Sequence, residues 1–172
     1  AVGAVDSWDK PVTLKLPSPV AAWSPESPSL YDFVATVRDA RANTSDRVKG
    51  YFAMRKVEVK KDPKGVLRIY FNNEMRFIVG TLDQGWWPDG LLVPPSDEAI
   101  KFDILSLKKL GFDMMRKHIK VEPLRYYALC DRMGLLVLQD MPCTSFDPQA
   151  TYKAESVKGY GLFREELKGM VD

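Results

Sequence analysis

Two hydrophobic periods divide the chain. Up to about residue 75, apolar and polar positions alternate in short runs broken by prolines and polar turns. Beyond that point, apolar positions recur every three or four residues, and these stretches are separated by short continuous apolar runs. The first pattern is that of half-buried strands; the second is that of amphipathic helices between covered strands.

In the first part, Val12 to Leu16 alternates as a half-buried strand does. Pro17, Pro19, Pro25 and Pro28 then punctuate a linker that contains Trp23. Leu30 to Val37 and Tyr51 to Val59 are rich in β-branched and aromatic residues and predict two strands, with a polar turn over Arg38 to Asp46 between them. Asp62-Pro63-Lys64-Gly65 signals a turn. Val66 to Phe71 and Met75 to Val79 flank Asn72-Asn73-Glu74 and predict a hairpin. The expectation is an antiparallel portion of a β-sandwich.

The second part opens on Arg76 to Gly80 as a short buried strand. Ser96 is placed to cap a helix with Asp97 and Glu98 in its first turn, and Ile100, Ile104, Leu107 and Leu110 form one apolar face. Gly111 stands where a helix commonly ends. Phe112 to Met115 predicts a second strand. Pro123 to Met133 predicts a second helix, with Leu124, Ala128 and Leu129 on one side and Gly134 closing it. Leu135 to Leu138 reads as a strand covered on both faces. After an irregular stretch from Met141 to Ala154, Tyr160 to Val171 starts a third helix. The order β-α-β-α-β-α builds a parallel sheet. Three such units cannot close an eight-fold barrel, which needs about 250 residues. The fold class expected is therefore α+β overall, an antiparallel β-sandwich portion over residues 1–73 followed over 74–172 by part of a (β/α) barrel.

Composition narrows the function classes. At 172 residues, 45% hydrophobic and 28% charged, the chain can bury a core and does not have a disordered composition. The longest apolar runs are a handful of residues, against the roughly 20 that a spanning helix needs, so no membrane partner is expected. A net charge of +2 argues against nucleic acid as a partner. One histidine, His118, excludes a multi-histidine metal site built from this chain alone, and no cofactor or metal is expected. The start, AVGAVDSWDK, lacks a basic leader region and carries Asp6 and Asp9, unlike a signal peptide. No initiating Met is present, as expected of a processed chain or a fragment. Cys130 and Cys143 match no metal or redox spacing. Cys130 falls on a helical pattern and reads as a buried thiol, with a disulfide left open. Cysteine usage does not reveal the compartment.

Sites in α/β sheets lie beyond the C-terminal ends of the strands. The three strands are followed by Asp83-Gln84-Gly85-Trp86-Trp87-Pro88-Asp89, by Arg116-Lys117-His118-Ile119-Lys120, and by Gln139-Asp140. Indole faces stack on the C–H faces of sugars, and carboxylates, amides and Arg bind hydroxyls in pairs. Asp83, Gln84, Trp86, Trp87 and Asp89 thus suit a sugar ring better than a phosphate, and no Gly-rich phosphate loop follows any strand. Trp86 and Trp87 could equally form a lid over the barrel end, and Asp83 a turn or cap. Arg116, His118 and Lys120 alternate by two and would share one face if the strand runs on through them. Alternatively His118 is a structural histidine, and Arg116 forms a salt bridge to Asp83 or Asp140. The cluster Lys56, Lys60, Lys61 and Lys64 reads as a solvated strand face.

Several segments together carry a resemblance. Trp23-Ser-Pro-Glu-Ser-Pro-Ser-Leu-Tyr31 is similar to the W-x-P-x-x-P-x-L-Y signature of glycoside hydrolase family 2, where it sits in the immunoglobulin-like sandwich before the catalytic barrel. Tyr51 to Val57 resembles that family's F-G-x-R-x-(I/V) strand, with Ala53 in place of Gly. Phe71 to Gly80 resembles its L-N-G-x-P-x-x-x-x-G entry into the first barrel strand, with Asn73 in place of Gly. Leu110 to Arg116 resembles x-G-x-N-x-x-R with Asp113 for Asn, and Tyr127 to Val137 resembles x-x-x-C-D-x-x-G-(L/I)-x-V. The segment Asp83 to Gly90 looks like a variant of the first barrel loop. These motifs run in family order from Trp23 to about Asp140.

The resemblance implies a retaining exo-glycosidase of the β-galactosidase, β-glucuronidase and β-mannosidase type, acting on terminal β-glycosides. Such enzymes use two glutamates about 5–5.5 Å apart. In the family, the acid/base glutamate ends an Asn-Glu pair after the fourth barrel strand and the nucleophile follows the seventh. Here Asn73-Glu74 belongs to the hairpin, and Glu165 and Glu166 match neither position. The expectation is a fragment with no catalytic residue, which keeps substrate contacts at Asp83, Gln84, Trp86, Trp87, Asp89, Arg116, His118, Lys120 and Asp140. Arg116 matches the family arginine at the end of the second strand. The family histidine lies three residues after that arginine; His118 lies two after it. The implied partner is a carbohydrate β-glycoside, with self-association or association with the rest of the barrel, and the resemblance favours a periplasmic or secreted setting. A second reading is a non-catalytic carbohydrate-binding or scaffold protein that self-associates. A third is unrelated chemistry through Asp83, His118 and Asp140.

Overall fold

The computed structural model of the chain describes residues 2–7, 9–39, 41, 43–142 and 156–171. Two compact units divide it: Ala1–Ile78 with Cys130–Leu135, and Val79–Leu129 with Leu136–Asp172.

The first unit is antiparallel. β1 (Tyr31–Asp39) pairs with β2 (Thr44–Phe52) in a register running from Tyr31 opposite Phe52 to Asp39 opposite Thr44. The aromatic positions of the two strands meet across the ladder. Tyr31 stacks on Phe52 with ring centres 5.4 Å apart, and Phe33 lies 6.4 Å from the same ring. A second sheet orders β3 (Val57–Lys61), β4 (Leu67–Phe71) and β5 (Glu74–Met75). Asp62 makes the β3–β4 turn by accepting from the Lys64 and Val66 amides, with Gly65 at a φ of 80°. Asn72 and Asn73 make the β4–β5 turn at φ values of 51° and 71°, the pair of left-handed residues that a tight hairpin demands.

Trp23, from the proline-punctuated linker, is the centre of this unit's core, at 1% exposure. Its amide donates to the Met54 carbonyl at 2.8 Å and its indole Nε1 to the Asp131 carbonyl at 2.7 Å. Its carbonyl accepts from Asn72 Nδ2 at 2.9 Å, and its ring meets Phe71 edge-on at 6.1 Å. These bonds explain one departure from the sequence pattern. The strand expected over Tyr51 to Val59 is split into the end of β2 and the start of β3. Met54 O is taken by Trp23, while the Lys56 amide and carbonyl are taken by the Asn72 side chain and amide, so the intervening backbone cannot join a ladder. A second departure is Val12 to Leu16, which pairs with no strand among the described residues. Its alternation provides an apolar side, but a strand also requires a partner for its amides.

From Gly80 onward the chain alternates strand and helix: β6 (Gly80–Asp83), α1 (Asp97–Lys109), β7 (Met114–Lys117), α2 (Leu124–Met133), β8 (Leu136–Gln139) and α3 (Ser156–Val171), all in the second unit except the end of α2 from Cys130, which belongs to the first. β6, β7 and β8 form one parallel sheet in that order. The three expected strands are all present, each shifted towards its C-terminal side. Gly80 opens β6 rather than closing it, because Val79 is bound to Asp113 through both amides and through the Asp113 carboxylate. A Cβ on Gly80 would stand 2.5 Å from the Met114 carbonyl, so the close approach of β6 to β7 requires glycine there.

α1 begins as its sequence predicts, with Ser96 Oγ accepting from the Ala99 amide. It ends in a Schellman turn in which Gly111, at a φ of 88°, and Phe112 bond back to Lys108 and Leu107. Ile100 and Ile104 are fully buried, whereas Leu110, at the helix end, is exposed. In α2 the buried residues are Tyr126 and Cys130; Leu124, expected on the apolar face, is 87% exposed because the helix starts at it. Cys143 lies outside the described residues. In β8, Leu136 is buried but Leu138 is exposed, so one face of the strand is covered among the described residues and not both. α3 starts four positions before Tyr160.

Candidate functional site

The site is built by period-2 alternation at the C-terminal ends of three parallel strands. In β7, Met115 and Lys117 are buried while Arg116 is exposed. The pairing register carries the same faces across the sheet. Asp83 stands opposite Lys117, and Leu82, Arg116 and Leu138 stand in one row. One face therefore carries Asp83 and Lys117, and the other carries Arg116 between two exposed leucines.

On the first face the Lys117 ammonium is fully buried and bridges two carboxylates, Asp83 Oδ2 at 2.7 Å and Glu122 Oε1 at 2.6 Å. Glu122 is itself fully buried and also receives Lys120 Nζ at 2.8 Å, while Lys120 reaches on to the Gly85 carbonyl at 3.0 Å. Lys117 lies 4.8 Å over the Tyr126 ring, whose hydroxyl lies 3.4 Å from Asp83 Oδ2 and 3.1 Å from Met115 Sδ. Burial by itself would raise the Asp83 carboxyl, but Lys117, the Gly85 amide at 2.6 Å and Tyr126 outweigh it and hold the group below the usual carboxylate range. Asp103 on α1 moves the other way, raised by burial and then by the Asp83 charge. Tyr127 and Gln139 extend the network: the Tyr127 hydroxyl donates to Gln139 Oε1 at 2.6 Å and accepts from the Glu122 amide, and Gln139 Nε2 donates to the Lys120 and Asp140 carbonyls.

On the second face Arg116 grips Asp140 with two parallel bonds, Nε to Oδ1 and NH2 to Oδ2, both 2.9 Å. Arg116 holds the Asp140 carboxyl below its ordinary value, and Asp140 in turn raises the guanidinium. Of the two acids weighed as partners of Arg116, the structure places Asp140 there and gives Asp83 to Lys117.

The expected alternation of Arg116, His118 and Lys120 on one face is not formed. β7 ends at Lys117: the His118 amide makes the last ladder bond, to the Asp83 carbonyl, and Ile119 then leaves the extended conformation at a φ of 48°. Arg116 goes to Asp140, and Lys120 goes to Glu122 and Gly85. Trp86 is 65% exposed, and Gln84 and Asp89 are also exposed. Trp87 is half-buried in a tight turn closed by two backbone bonds with Leu91. Three polar side-chain atoms are buried without a hydrogen-bond partner among the described residues: Trp87 Nε1, His118 Nδ1 and Glu122 Oε2. All three belong to the segments that follow β6 and β7. Sequence reasoning missed Lys117 and Glu122. For Lys117 the signal was present, since it stands two positions after the buried Met115 on a four-residue strand. Among the described residues no group of three or more His, Cys, Asp or Glu could hold a metal, and no helix is long and apolar enough to cross a membrane.

Comparison with known proteins adds to this geometry. Residues 3–55 match the model of the glycosyl hydrolases family 2. Over 162 residues the chain is 29% identical to a β-galactosidase of Erwinia tasmaniensis, covering 93% of this chain and 15% of that protein. These matches support a fragment related to the glycosyl hydrolases family 2. The apo structure of Bacteroides uniformis β-glucuronidase 3 is 26% identical, with a TM-score of 0.61 over 71% of this chain and 15% of that one. A family 2 β-galacturonidase from Eisenbergiella tayi, solved with galacturonate, superposes with a TM-score of 0.70 at 24% identity, over 90% of this chain and 27% of that one, which extends the shared fold. The chain thus spans about 15% of the length of the Erwinia tasmaniensis β-galactosidase. The order of its antiparallel and parallel sheets fits those relatives.

Proposed function

We propose that the chain supplies the first part of a sugar-binding pocket in a retaining exo-glycosidase acting on terminal β-glycosides. In this reading residues 1–73 end an immunoglobulin-like sandwich and residues 74–172 form the first three units of a (β/α) barrel. The names of the relatives, β-galactosidase and β-glucuronidase, support a β-glycoside as substrate class. The observation that carries the reading is the bidentate Arg116–Asp140 pair at the C-terminal ends of adjacent parallel strands, on the sheet face opposite the one that carries Lys117. A polar pair in that place orients hydroxyls, and the exposed indole of Trp86 offers an apolar face for a sugar ring.

Gln84, Trp86, Trp87, Asp89, Arg116, His118 and Asp140 form the proposed contact set. Asp83 and Lys120 support it instead, since their charged groups are engaged in the buried cluster with Lys117 and Glu122. No carboxylate pair of this chain takes the catalytic roles. Accordingly, purified chain should not turn over nitrophenyl β-galactoside or β-glucuronide. It should bind galactose or glucuronate at millimolar concentration with a change in tryptophan fluorescence, and Arg116→Ala should abolish that change. Turnover that disappears on replacing one of the chain's own carboxylates, or a fluorescence signal indifferent to Arg116→Ala, would overturn the proposal. The second reading, a non-catalytic carbohydrate-binding or scaffold protein that self-associates, draws on the exposure of Leu82 and Leu138 beside Arg116. Sedimentation as dimers or larger species without any sugar response would favour it.

A further inference from the structure

The buried charge cluster on the other face of the sheet has no part in the contacts proposed above, yet it joins the segments that carry them. Asp83 closes β6, and the Trp86–Trp87 turn begins three residues later. Glu122 and Lys120 belong to the segment after β7 that carries His118. Among the described residues Lys117 is the one cation that touches both carboxylates, at 2.7 and 2.6 Å, with its own side chain fully excluded from water. Losing Lys117 would leave Asp83 without its cation and Glu122 with Lys120 alone, and would unlink the two segments.

The first loop is closed against the second with no room to spare. Gly85 takes a φ of 71°, its amide is held by Asp83 and its carbonyl by Lys120, and a Cβ there would stand 2.5 Å from Lys120 Cδ and 2.9 Å from Glu122 Oε1. The unpartnered Trp87 Nε1, His118 Nδ1 and Glu122 Oε2 lie on these same two segments, so the polar groups the fold leaves unsatisfied gather where it is most tightly pinned.

We infer that Lys117 is a positioning residue: through Asp83 and Glu122 it locks the two loops together, so that Trp86 and Trp87 are presented to the sugar as one preformed surface. The inference rests on the carbohydrate reading for its purpose but not for its test. The double variant Lys117→Met/Glu122→Gln removes one charge of each sign and leaves Asp83 with the Gly85 amide and Tyr126. In nitrogen-15-labelled full chain, the indole N–H signals of Trp86 and Trp87 should each be single and sharp. In the double variant they should broaden or split, while the indole of Trp23, bonded to Asp131 in the other unit, stays in place and reports intact folding. Binding of galactose or glucuronate should weaken about tenfold or more. Trp86 and Trp87 signals unchanged in the folded variant would overturn the inference.

A measurement on the unmodified chain covers the case in which the variant does not fold. The Gly85 and Glu122 amides, bonded to Asp83 and to the Tyr127 hydroxyl, should be protected together from hydrogen exchange. Rapid exchange of either would also overturn the inference. An unmodified chain that ignores both sugars, yet passes the indole and exchange tests, would sink the carbohydrate reading and leave the positioning role standing.

Discussion

Individual side chains and backbone angles carry the site. Gly85 is required twice, for its left-handed φ and for the approach of Lys120 and Glu122 to its α-carbon. Gly85→Ala should therefore lower stability by about 2 kcal/mol or more, read as a fall in the urea midpoint at unchanged slope. A loss of only a few tenths would mean that Lys120 moves aside cheaply. Lys117 and Arg116 are neighbours in sequence, yet the first is fully buried and the second about half exposed on its side chain. The strand's alternation, more than residue type, sets this difference, because both side chains are cationic and both find a carboxylate.

At the scale of elements, local signals hold where a residue does its work through its own backbone. Ser96 caps α1, Gly111 and Gly134 end their helices at φ values of 88° and 75°, and Asn72-Asn73 turns the β4–β5 hairpin. At Asn73 the φ of 71° suits glycine better than asparagine, and the exposed bond from Lys56 Nζ to its side chain adds little. Asn73→Gly should accordingly raise stability by about 0.5 kcal/mol and Asn73→Ala lower it by about 1 kcal/mol. Equal midpoints for the two variants would show that the turn is not held in this conformation. Asn72 is different: its side chain bonds both Lys56 and Trp23, so glycine there would lose two contacts.

Over the whole chain the titrating groups predict an acid response. Asp83, Asp140, Glu58 and Asp62 are depressed, and Glu26, held by Arg76, is lowered to about 2. A depressed carboxyl binds fewer protons in the folded chain than in the unfolded one. Its contribution is complete above the unfolded value of about 4 and is lost as the pH falls towards the folded value. The urea midpoint should thus be level from pH 7 to about 5 and fall below about 4. Asp103 has the opposite sign, so Asp103→Asn should raise the midpoint at neutral pH and deepen the acid loss. A midpoint that rises on acidification would show that raised groups such as Asp103 dominate.

Read alone, the sequence determined what depends on neighbours along the chain: the change from period 2 to period 3.6, the β-α-β-α-β-α order, the helix caps and the hairpin turn. Its motifs also pointed to the family that the comparisons support. It could not say which backbone groups would be claimed from afar. For that reason it ran one strand through Met54, which Trp23 takes, and read Val12 to Leu16 as a strand, although that segment pairs with no strand among the described residues. The same reason covers the site. Arg116, Asp140 and Trp86 were legible as residues that follow or end the strands, but the alternation of Arg116, His118 and Lys120 was not formed, because Ile119 takes a left-handed φ just past the last ladder bond. Only the tertiary structure decided that Lys117 would be buried between two carboxylates, since an ion pair separated by 34 residues in sequence depends on strand register, and register is set by the whole sheet.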